Sequence, residues 1–220
     1  MPFQNRAEAA ALLAEKLAAY QGKNPLVLAI PRGAVPMGKI IAEQLGGELD
    51  VVLVRKLRAP YNPEFALGSI DETGWAYVAD YAASAGGSEA YLAGEKQYQL
   101  ETMRRRRAQY TPVHPPIDPK GRSVIVVDDG LATGATMISA LHALRAKQPA
   151  KLICAVPVAP PDTLDKIASY ADEVVCLEAP HYFQAVGQFY RDFPQVEDEE
   201  VIEILARSAP HPESNLGKTK

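Results

Sequence analysis

The sequence predicts an α/β protein in which a five-stranded parallel sheet is flanked by helices. Five short apolar runs, each bounded by turn-forming residues, have the composition of strands covered on both faces. Segments with helical start and stop signals alternate with these runs. The first strand, helix and strand span about thirty residues, the length of a βαβ unit with parallel strands. The runs are "PLVLAI" (25–30), "DVVLVRKL" (50–57), "SVIVVDD" (123–129), "KLICAVPVA" (151–159) and "EVVCLEA" (173–179).

The helices of this prediction are placed by their capping residues. Asn5 is a suitable N-cap for an amphipathic N-terminal helix, and Pro36 is placed to begin the second helix. Gly46 and the glycine after it are expected to end that second helix. Two further helices are predicted at about 134–147 and 162–170.

The segment 57–121 interrupts the alternation and is interpreted as an insertion or lid over the ligand-binding edge of the sheet. "ALGSIDETGWAYVAD" predicts two short strands about a turn, and Ser88 is the predicted N-cap of a helix that ends near Tyr110. The proline-rich "TPVHPPIDPKGR" leads back to the core. We expect one domain over 1–207, with a C-terminal hood at 178–207 and a disordered tail at 208–220.

Composition favours a small-molecule partner over nucleic acid or a membrane. The chain has 220 residues, 47% of them hydrophobic, and a formal net charge of −4, which gives no general attraction to polyanions. The four arginines at 104–107 would spread around most of a helix, so they cannot share one phosphate track. No apolar window approaches a membrane span, and both cysteines, Cys154 and Cys176, lie in apolar runs. We therefore expect a cytoplasmic protein with structural thiols.

The stretch "VIVVDDGLATGAT" (124–136) carries the clearest chemical signal. Asp128 and Asp129 follow a buried strand, at the sheet edge where open α/β proteins bind ligands. Two carboxylates suit a vicinal diol, and the small loop before a helix N-terminus suits a phosphate, with hydroxyls from Thr133 and Thr136. The pattern predicts a ribose 5-phosphate site. The alternative is a capped helix whose acids only stabilise its positive end.

This stretch resembles the phosphoribosyl pyrophosphate (PRPP) signature of the type I phosphoribosyltransferases. The resemblance implies that fold and a Mg²⁺-dependent transfer of the 5-phosphoribosyl group from PRPP to a nitrogen nucleophile, with release of pyrophosphate. It implies that Asp128 and Asp129 bind the ribose hydroxyls with Mg²⁺ nearby. It also implies that the loop binds the 5-phosphate, through Gly130, Leu131, Ala132, Thr133, Gly134, Ala135 and Thr136.

Two cationic segments gain a role from the same resemblance. "IPRGAVPMG" occupies the place of the family's pyrophosphate loop, which assigns pyrophosphate binding to Pro31, Arg32 and Gly33. "VRKLRAP" ends the second predicted strand, and we interpret Arg55 and Lys56 as a catalytic clamp on the leaving pyrophosphate. The alternatives are a solvated arginine and a charged strand terminus, and the role of Arg58 is left open.

The nitrogen nucleophile that accepts the 5-phosphoribosyl group, called the acceptor below, is less well defined by the sequence. In the hypoxanthine-guanine subgroup a third acid in the loop lies beside the purine, and the matching position here is Ala132. Glu64 is the candidate base or lid residue, and the aromatic hood offers Tyr182 and Phe183 for stacking on a base or, alternatively, for filling core. We expect PRPP and a small nitrogen acceptor as partners, and a homodimer. A non-catalytic PRPP or nucleotide sensor is the alternative function, against which Arg32, Arg55 and Lys56 argue.

Overall fold

The structure is a computed structural model that describes residues 2–208, except for the side chain of Glu64. The tail predicted at 208–220 lies outside the described residues apart from Ser208. Ser208 is the last residue that the structure describes and belongs to a helix, so the predicted boundary at 207 stays a prediction. No helix within 2–208 is long and apolar enough to cross a membrane.

Five parallel strands form the central sheet, in the order β2-β1-β6-β7-β8. The strand order reverses between β1 and β6, so the carboxyl ends of these two strands flank the switch point at which α/β proteins bind ligands. The prediction of a five-stranded parallel sheet is confirmed. The strands are β1 (Leu26–Ala29), β2 (Glu48–Val51), β6 (Ser123–Val127), β7 (Lys151–Val158) and β8 (Glu173–Glu178).

Six α-helices surround this sheet and a second, smaller one. Asn5 caps the first helix by accepting from the amides of Ala7 and Glu8, and Ser88 caps the third by accepting from Tyr91 N. Both predicted N-caps are therefore confirmed. The helices are α1 (Arg6–Lys16), α2 (Val35–Leu45), α3 (Glu89–Tyr110), α4 (Ala135–Arg145), α5 (Pro161–Ile167) and α6 (Asp198–Ser208), with 3₁₀ turns at Ala18–Tyr20 and Val186–Phe189.

The core lies on both faces of the parallel sheet because successive side chains of each strand point to opposite sides. Val27 and Ile125 join a cluster with residues of α1, α2 and α6, whereas Leu28 and Val126 join a second cluster with residues of α4 and α5. These strand side chains are almost completely buried. Double-sided burial explains why the strands appear in the sequence as continuous apolar runs.

The run "DVVLVRKL" forms two strands, so its prediction as one strand is wrong. β2 ends at Val51, and after Val52 and Leu53 the chain begins a three-stranded antiparallel sheet of β3 (Val54–Ala59), β4 (Asn62–Asp71) and β5 (Ala76–Val78). A continuous apolar run does not reveal a change of sheet, because both parts are buried. The insertion therefore begins at about Val54 and not at Leu57. The strand pair predicted within it, β4 and β5, is confirmed.

The second sheet is fixed against the helices that surround the ligand edge. The hydroxyl of Ser69 on β4 donates to the carbonyl oxygen of Ala135 at 2.5 Å, and Ala135 is the first residue of α4. From the other side, Glu95 of α3 accepts from the backbone and guanidinium of Arg58. The antiparallel sheet is thereby held beside the start of α4, so its first strand faces the end of β6.

Candidate active site

Two neighbouring cavities lie at the carboxyl ends of β1 and β6. The first has a volume of about 380 Å³ and the second of about 360 Å³. Both are lined by Arg32, Gly33 and Asp129, so they adjoin. The other residues lining the first cavity are Ile30, Pro31, Val54, Arg55, Lys56, Arg58, Pro63, Asp128 and Thr136. Those lining the second are Arg6, Phe193, Pro194, Gln195 and Val196.

Asp128 and Asp129 stand at the end of β6, where the pleat gives way to a loop and both side chains reach the first cavity. The amide of Asp129 donates to Asp128 Oδ1 at 2.9 Å. Burial raises the pKa of Asp128 well above its usual value, and the adjacent charge of Asp129 raises it further. Burial also raises the pKa of Asp129, against the opposing effect of Arg6. A cationic ligand or metal ion beside these carboxylates would stabilise their ionised forms.

Arg6 is bound to the second of these acids. Its Nε and Nη2 atoms lie 3.0 and 2.9 Å from Asp129 Oδ2, and its Nη1 donates to the carbonyl oxygen of Pro194 at 2.6 Å. The guanidinium carbon also lies 3.7 Å from the ring centroid of Phe193. Arg6 therefore connects the first turn of α1 to the C-terminal segment and to Asp129.

The loop after β1 passes close to the same carboxylate. A Cβ at Gly33 would lie 2.2 Å from Asp129 Oδ2, a distance that no side chain could adopt without displacing one of the two segments. The peptide bond between Pro31 and Arg32 is cis. Gly33 is thus required by the close approach of the loop to the acid.

The loop 130–136 connects β6 to α4. Gly134 has φ 75° and is the N-cap of α4, while Leu131 is buried and donates its amide to the carbonyl oxygen of Val158 at 2.9 Å. Ala132 and Thr133 are exposed. Of the seven residues predicted to bind the 5-phosphate, the structure places Thr136 on the wall of the first cavity and the others along the loop that leads to it.

The cations of β3 line the first cavity opposite the two acids. Arg55 Nε donates to Gln99 Oε1 at 2.9 Å, and burial together with the nearby charges of Arg106 and Arg58 lowers the pKa of Arg55. Arg58, whose role the sequence left open, also lines this cavity and is paired with Glu95. Arg55 and Lys56 therefore lie where the sequence expected them, although on an antiparallel strand.

Arg32 enters both cavities and is held by the start of the last helix. Its Nη1 lies 3.0 Å from Glu197 Oε2 and 3.5 Å from Asp198 Oδ2. The Arg32 side chain is 26% exposed and that of Glu197 is 58% exposed. Because an exposed ion pair contributes little stability, an anionic ligand could take the place of Glu197 at this arginine.

Tyr182 and Phe183, the aromatic residues predicted to contact the acceptor, are not among the described residues that line either cavity. Tyr182 is 72% exposed, and the Phe183 ring packs against Phe189 at a centroid distance of 5.0 Å. Glu64 belongs to β4, and its side chain lies outside what the structure describes. The hood contributes instead through Phe193 and the three residues after it.

Two residues that contact Asp129 were given no such role from the sequence, in which Tyr190 was only one of the hood's aromatic residues. Tyr190 donates its hydroxyl to the carbonyl oxygen of Asp129 at 2.6 Å, and Arg6 binds the carboxylate of the same residue. One signal could have pointed to Arg6: an arginine in the first turn of a helix opposes the helix dipole, so its position calls for another reason. Tyr190 gave no comparable signal, because aromatic residues in a C-terminal segment commonly fill core.

The structure is thus an α/β protein with two adjoining cavities at the switch point of its parallel sheet, and comparison with known proteins identifies its family. Residues 3–194 match the family model of the phosphoribosyl transferase domain. The chain therefore belongs to the phosphoribosyltransferase family, and the family predicted from "VIVVDDGLATGATM" is confirmed.

Three relatives extend this finding. Two curated proteins of Mycobacterium tuberculosis, from strains CDC 1551 / Oshkosh and ATCC 25618 / H37Rv, are each named "Putative phosphoribosyl transferase" and are 41% identical over 207 residues. The match covers 94% of this chain and 47% of each relative, so the chain spans about half their length. The crystal structure of a protein from Thermus thermophilus, TT1426, is 45% identical, with a TM-score of 0.79, and the match covers 96% of this chain and 100% of that one.

Proposed function

We propose that the protein is a Mg²⁺-dependent pentosyltransferase that transfers the 5-phosphoribosyl group of PRPP to a nitrogen nucleophile. The observation that carries this proposal is the composition of the first cavity. Three separate segments bring two carboxylates, a threonine at a helix N-terminus and several cations into one space of about 380 Å³. These groups match the diol, the phosphate and the pyrophosphate of PRPP.

The sugar phosphate end of PRPP fits the end of β6. Asp128 and Asp129 would accept hydrogen bonds from the ribose hydroxyls, since a carboxylate accepts two or more such bonds. Thr136 and the amides at the start of α4 would bind the 5-phosphate, because helix N-termini attract anions. The short distance between the acids and α4 suits one ribose 5-phosphate unit.

The pyrophosphate end fits the opposite wall. Arg32, Arg55 and Lys56 surround the part of the cavity that faces the two acids. During transfer the bond from C1 to the pyrophosphate oxygen breaks with its electron pair on that oxygen, and negative charge accumulates on the leaving group. Fixed cations that are already in place stabilise this charge without reorganisation.

The resemblance implies Mg²⁺, and the donor set of the first cavity fits it. Within residues 2–208 no group of three or more His, Cys, Asp and Glu side chains could hold a metal ion. Magnesium needs no such group, since it binds through one or two carboxylates, water and substrate phosphates. Asp128 and Asp129 would hold it, and the ion would neutralise charge on the pyrophosphate.

The second cavity would receive the nitrogen nucleophile. It adjoins the first cavity at Asp129, which stands beside the position proposed for the ribose. The new bond forms between the nucleophile and C1 as the bond to pyrophosphate breaks. The residues of this chain then serve to align the two reactants and to keep water from C1.

Pyrophosphate release tests the proposal. The protein would be incubated with PRPP, Mg²⁺ and a panel of bases and amines, and Lys56→Ala would be compared with Lys147→Ala, an exposed control. We expect turnover on at least one acceptor, a loss of about tenfold or more in kcat/KM for K56A, and no change for K147A. Absence of PRPP binding would overturn the proposal. Tight binding without turnover would indicate a sensor.

A further inference from the structure

The polar lining of the second cavity consists mainly of hydrogen-bond donors. Arg6 uses one N–H from each of its three nitrogens, and its Nη1 and Nη2 atoms each keep a second N–H. Arg32 uses only Nη1, so its Nε and Nη2 have no partner among the described residues. The Gln195 amide, which donates to Glu197 Oε1 at 2.9 Å, adds one carbonyl acceptor.

The carboxylate of this cavity is already engaged. Asp129 is the acid among its lining residues, and its Oδ2 accepts a hydrogen bond from Arg6 Nε and forms an ion pair with Arg6 Nη2. A ligand with exocyclic amino groups would place its own N–H groups against the two guanidiniums. When two N–H donors face each other, both lose their hydrogen bonds to water and neither gains an acceptor. The binding free energy of such a ligand is therefore less favourable. A carboxylate or ring oxygens would instead pair with Arg6, in the bidentate geometry that guanidinium favours.

The lining also lacks a carboxylate that is free of an ion pair and could act as a general base. The loop position at which the resemblance implies an acid in the hypoxanthine-guanine subgroup is occupied by Ala132, whose carbonyl oxygen accepts from the Thr163 hydroxyl at 2.7 Å. A nucleophile that reacts through a neutral N–H must lose that proton during transfer. A nitrogen that is already unprotonated, with an available lone pair, needs no base on the protein.

We propose, on the basis of the function proposed above, that the acceptor is a planar nitrogen heterocycle carrying a negative charge. The charge is a carboxylate or an ionised ring nitrogen, and it pairs with the guanidinium of Arg6, while Arg32 stays with the pyrophosphate. The nitrogen lone pair forms the bond to C1 while pyrophosphate leaves with the electron pair of the broken bond, and no proton is transferred. Phe193, Pro194 and Val196 supply the apolar wall against the ring.

The aromatic wall has a defined role in this arrangement. The Phe193 ring already packs against the guanidinium of Arg6 and, at a centroid distance of 4.7 Å, against the ring of Tyr190. Phe193 therefore orients Arg6 and offers the ligand its remaining edge. This packing holds the Arg6 donors in place before the acceptor arrives, which lowers the ordering cost of binding.

Matched pairs of ligands that differ mainly in charge test the proposal. The first cavity would be filled with ribose 5-phosphate and Mg²⁺. Nicotinate against nicotinamide and isonicotinate against isonicotinamide, whose ring nitrogens are all unprotonated at neutral pH, would be titrated calorimetrically. We expect the charged member of at least one pair to bind about tenfold or more tightly than its neutral partner. In Arg6→Gln this preference should fall below about threefold. In Arg191→Gln, which removes an exposed arginine of the same C-terminal segment, it should persist.

The outcomes separate this inference from the proposed function. Equal binding of charged and neutral partners, no binding of any pair, or a charge preference that survives in R6Q would overturn the inference. Pyrophosphate release from PRPP with neutral bases alone would also overturn it and leave the transferase intact. Failure of ribose 5-phosphate and of PRPP to bind would contradict the proposed function. The melting temperature of R6Q, and its affinity for ribose 5-phosphate, show whether Asp129 has been disturbed.

Discussion

The two adjoining cavities differ in how the chain builds them. The first is formed by three short segments whose residues are close together in sequence, and most of its charged groups were predicted. The second combines Arg6 with residues 193–196, which are almost the whole chain apart. The proposed donor half of the site is thus built from segments that are each short, whereas the proposed acceptor half depends on the docking of α1 and the C-terminal segment. Acceptor chemistry can therefore change without altering the PRPP signature.

Asp129 joins the two halves. It lines both cavities, carries the ion pair with Arg6 and has its backbone carbonyl bound by Tyr190. Changes at the first cavity should mainly affect PRPP, and changes at Arg6 or Tyr190 should mainly affect the acceptor. Four variants or conditions test this division, from the largest expected effect to the smallest.

Asp128→Asn should have the largest effect of the four, and it should lower the affinity for PRPP alone. The substitution removes a carboxylate that would bind the ribose hydroxyls and Mg²⁺, so we expect the affinity for PRPP with Mg²⁺ to fall by about 100-fold. Calorimetric titration measures this loss. Asp118→Asn, an exposed acid in the proline-rich segment, is the control and should bind as the wild type does. If the two variants bound PRPP with equal affinity, Asp128 would not be part of the PRPP site.

Gly33→Ala should disturb both halves at once. Its Cβ would overlap Asp129 Oδ2, so the loop or the acid must move, and we expect PRPP affinity and acceptor KM both to worsen by about tenfold. Gly94→Ala is the matched control, because a Cβ at Gly94 in α3 meets open space and favours the helix. If G33A bound PRPP and acceptor normally, the close approach of loop and acid would be irrelevant to function.

The pH dependence of PRPP affinity and of stability should have opposite signs. Because burial raises the pKa of Asp128, the folded chain keeps a proton that the unfolded chain has already lost. Stability from this group is therefore present at low pH and is lost as pH rises through its folded pKa, whereas PRPP affinity is gained over the same interval. At neutral pH, D128N should melt about 2 °C higher than wild type, with no difference at acid pH. A lower melting temperature at neutral pH would contradict this.

Tyr190→Phe should have the smallest effect, on the acceptor side. It removes one hydrogen bond to the backbone of Asp129 and keeps the ring contact with Phe193, so a loss of about 1 kcal/mol in stability is expected. Acceptor KM should rise by a few-fold while PRPP KM stays constant. Steady-state kinetics with each substrate varied in turn would show this. If the KM for PRPP changed more than the KM for the acceptor, Tyr190 would act on the first cavity and not on the second.

The sequence was most informative where one local rule decides the structure. Buried parallel strands gave continuous apolar runs, and the caps Asn5 and Ser88 located two helices. The run from Asp50 to Leu57 was wrongly predicted as a single strand. Both of its parts are buried, so the apolar pattern does not show where the chain leaves the parallel sheet and enters the antiparallel one. Even so, Arg55 and Lys56 reached the predicted cavity, because only Val52 and Leu53 separate β2 from β3.

The acceptor side was less predictable for a physical reason. Its residues become neighbours only when distant segments pack, and no period or motif encodes that contact. The aromatic content of the hood led to the prediction that Tyr182 and Phe183 stack on the base. In the structure Phe193 lines the cavity instead, and Phe183 packs against another aromatic ring. Arg6 is bound to Asp129 across 123 positions of sequence, a separation over which a single sequence taken alone does not show which residues pair.

A crystal structure of the protein with PRPP and Mg²⁺ bound would test the central claim most directly. We expect the ribose hydroxyls on Asp128 and Asp129, the 5-phosphate at the loop 130–136, and the pyrophosphate against Arg32 and Lys56. We also expect C1 to face the second cavity, where Arg6 lies. PRPP bound in reverse, with pyrophosphate at the loop 130–136, or with C1 turned away from the second cavity, would contradict this arrangement.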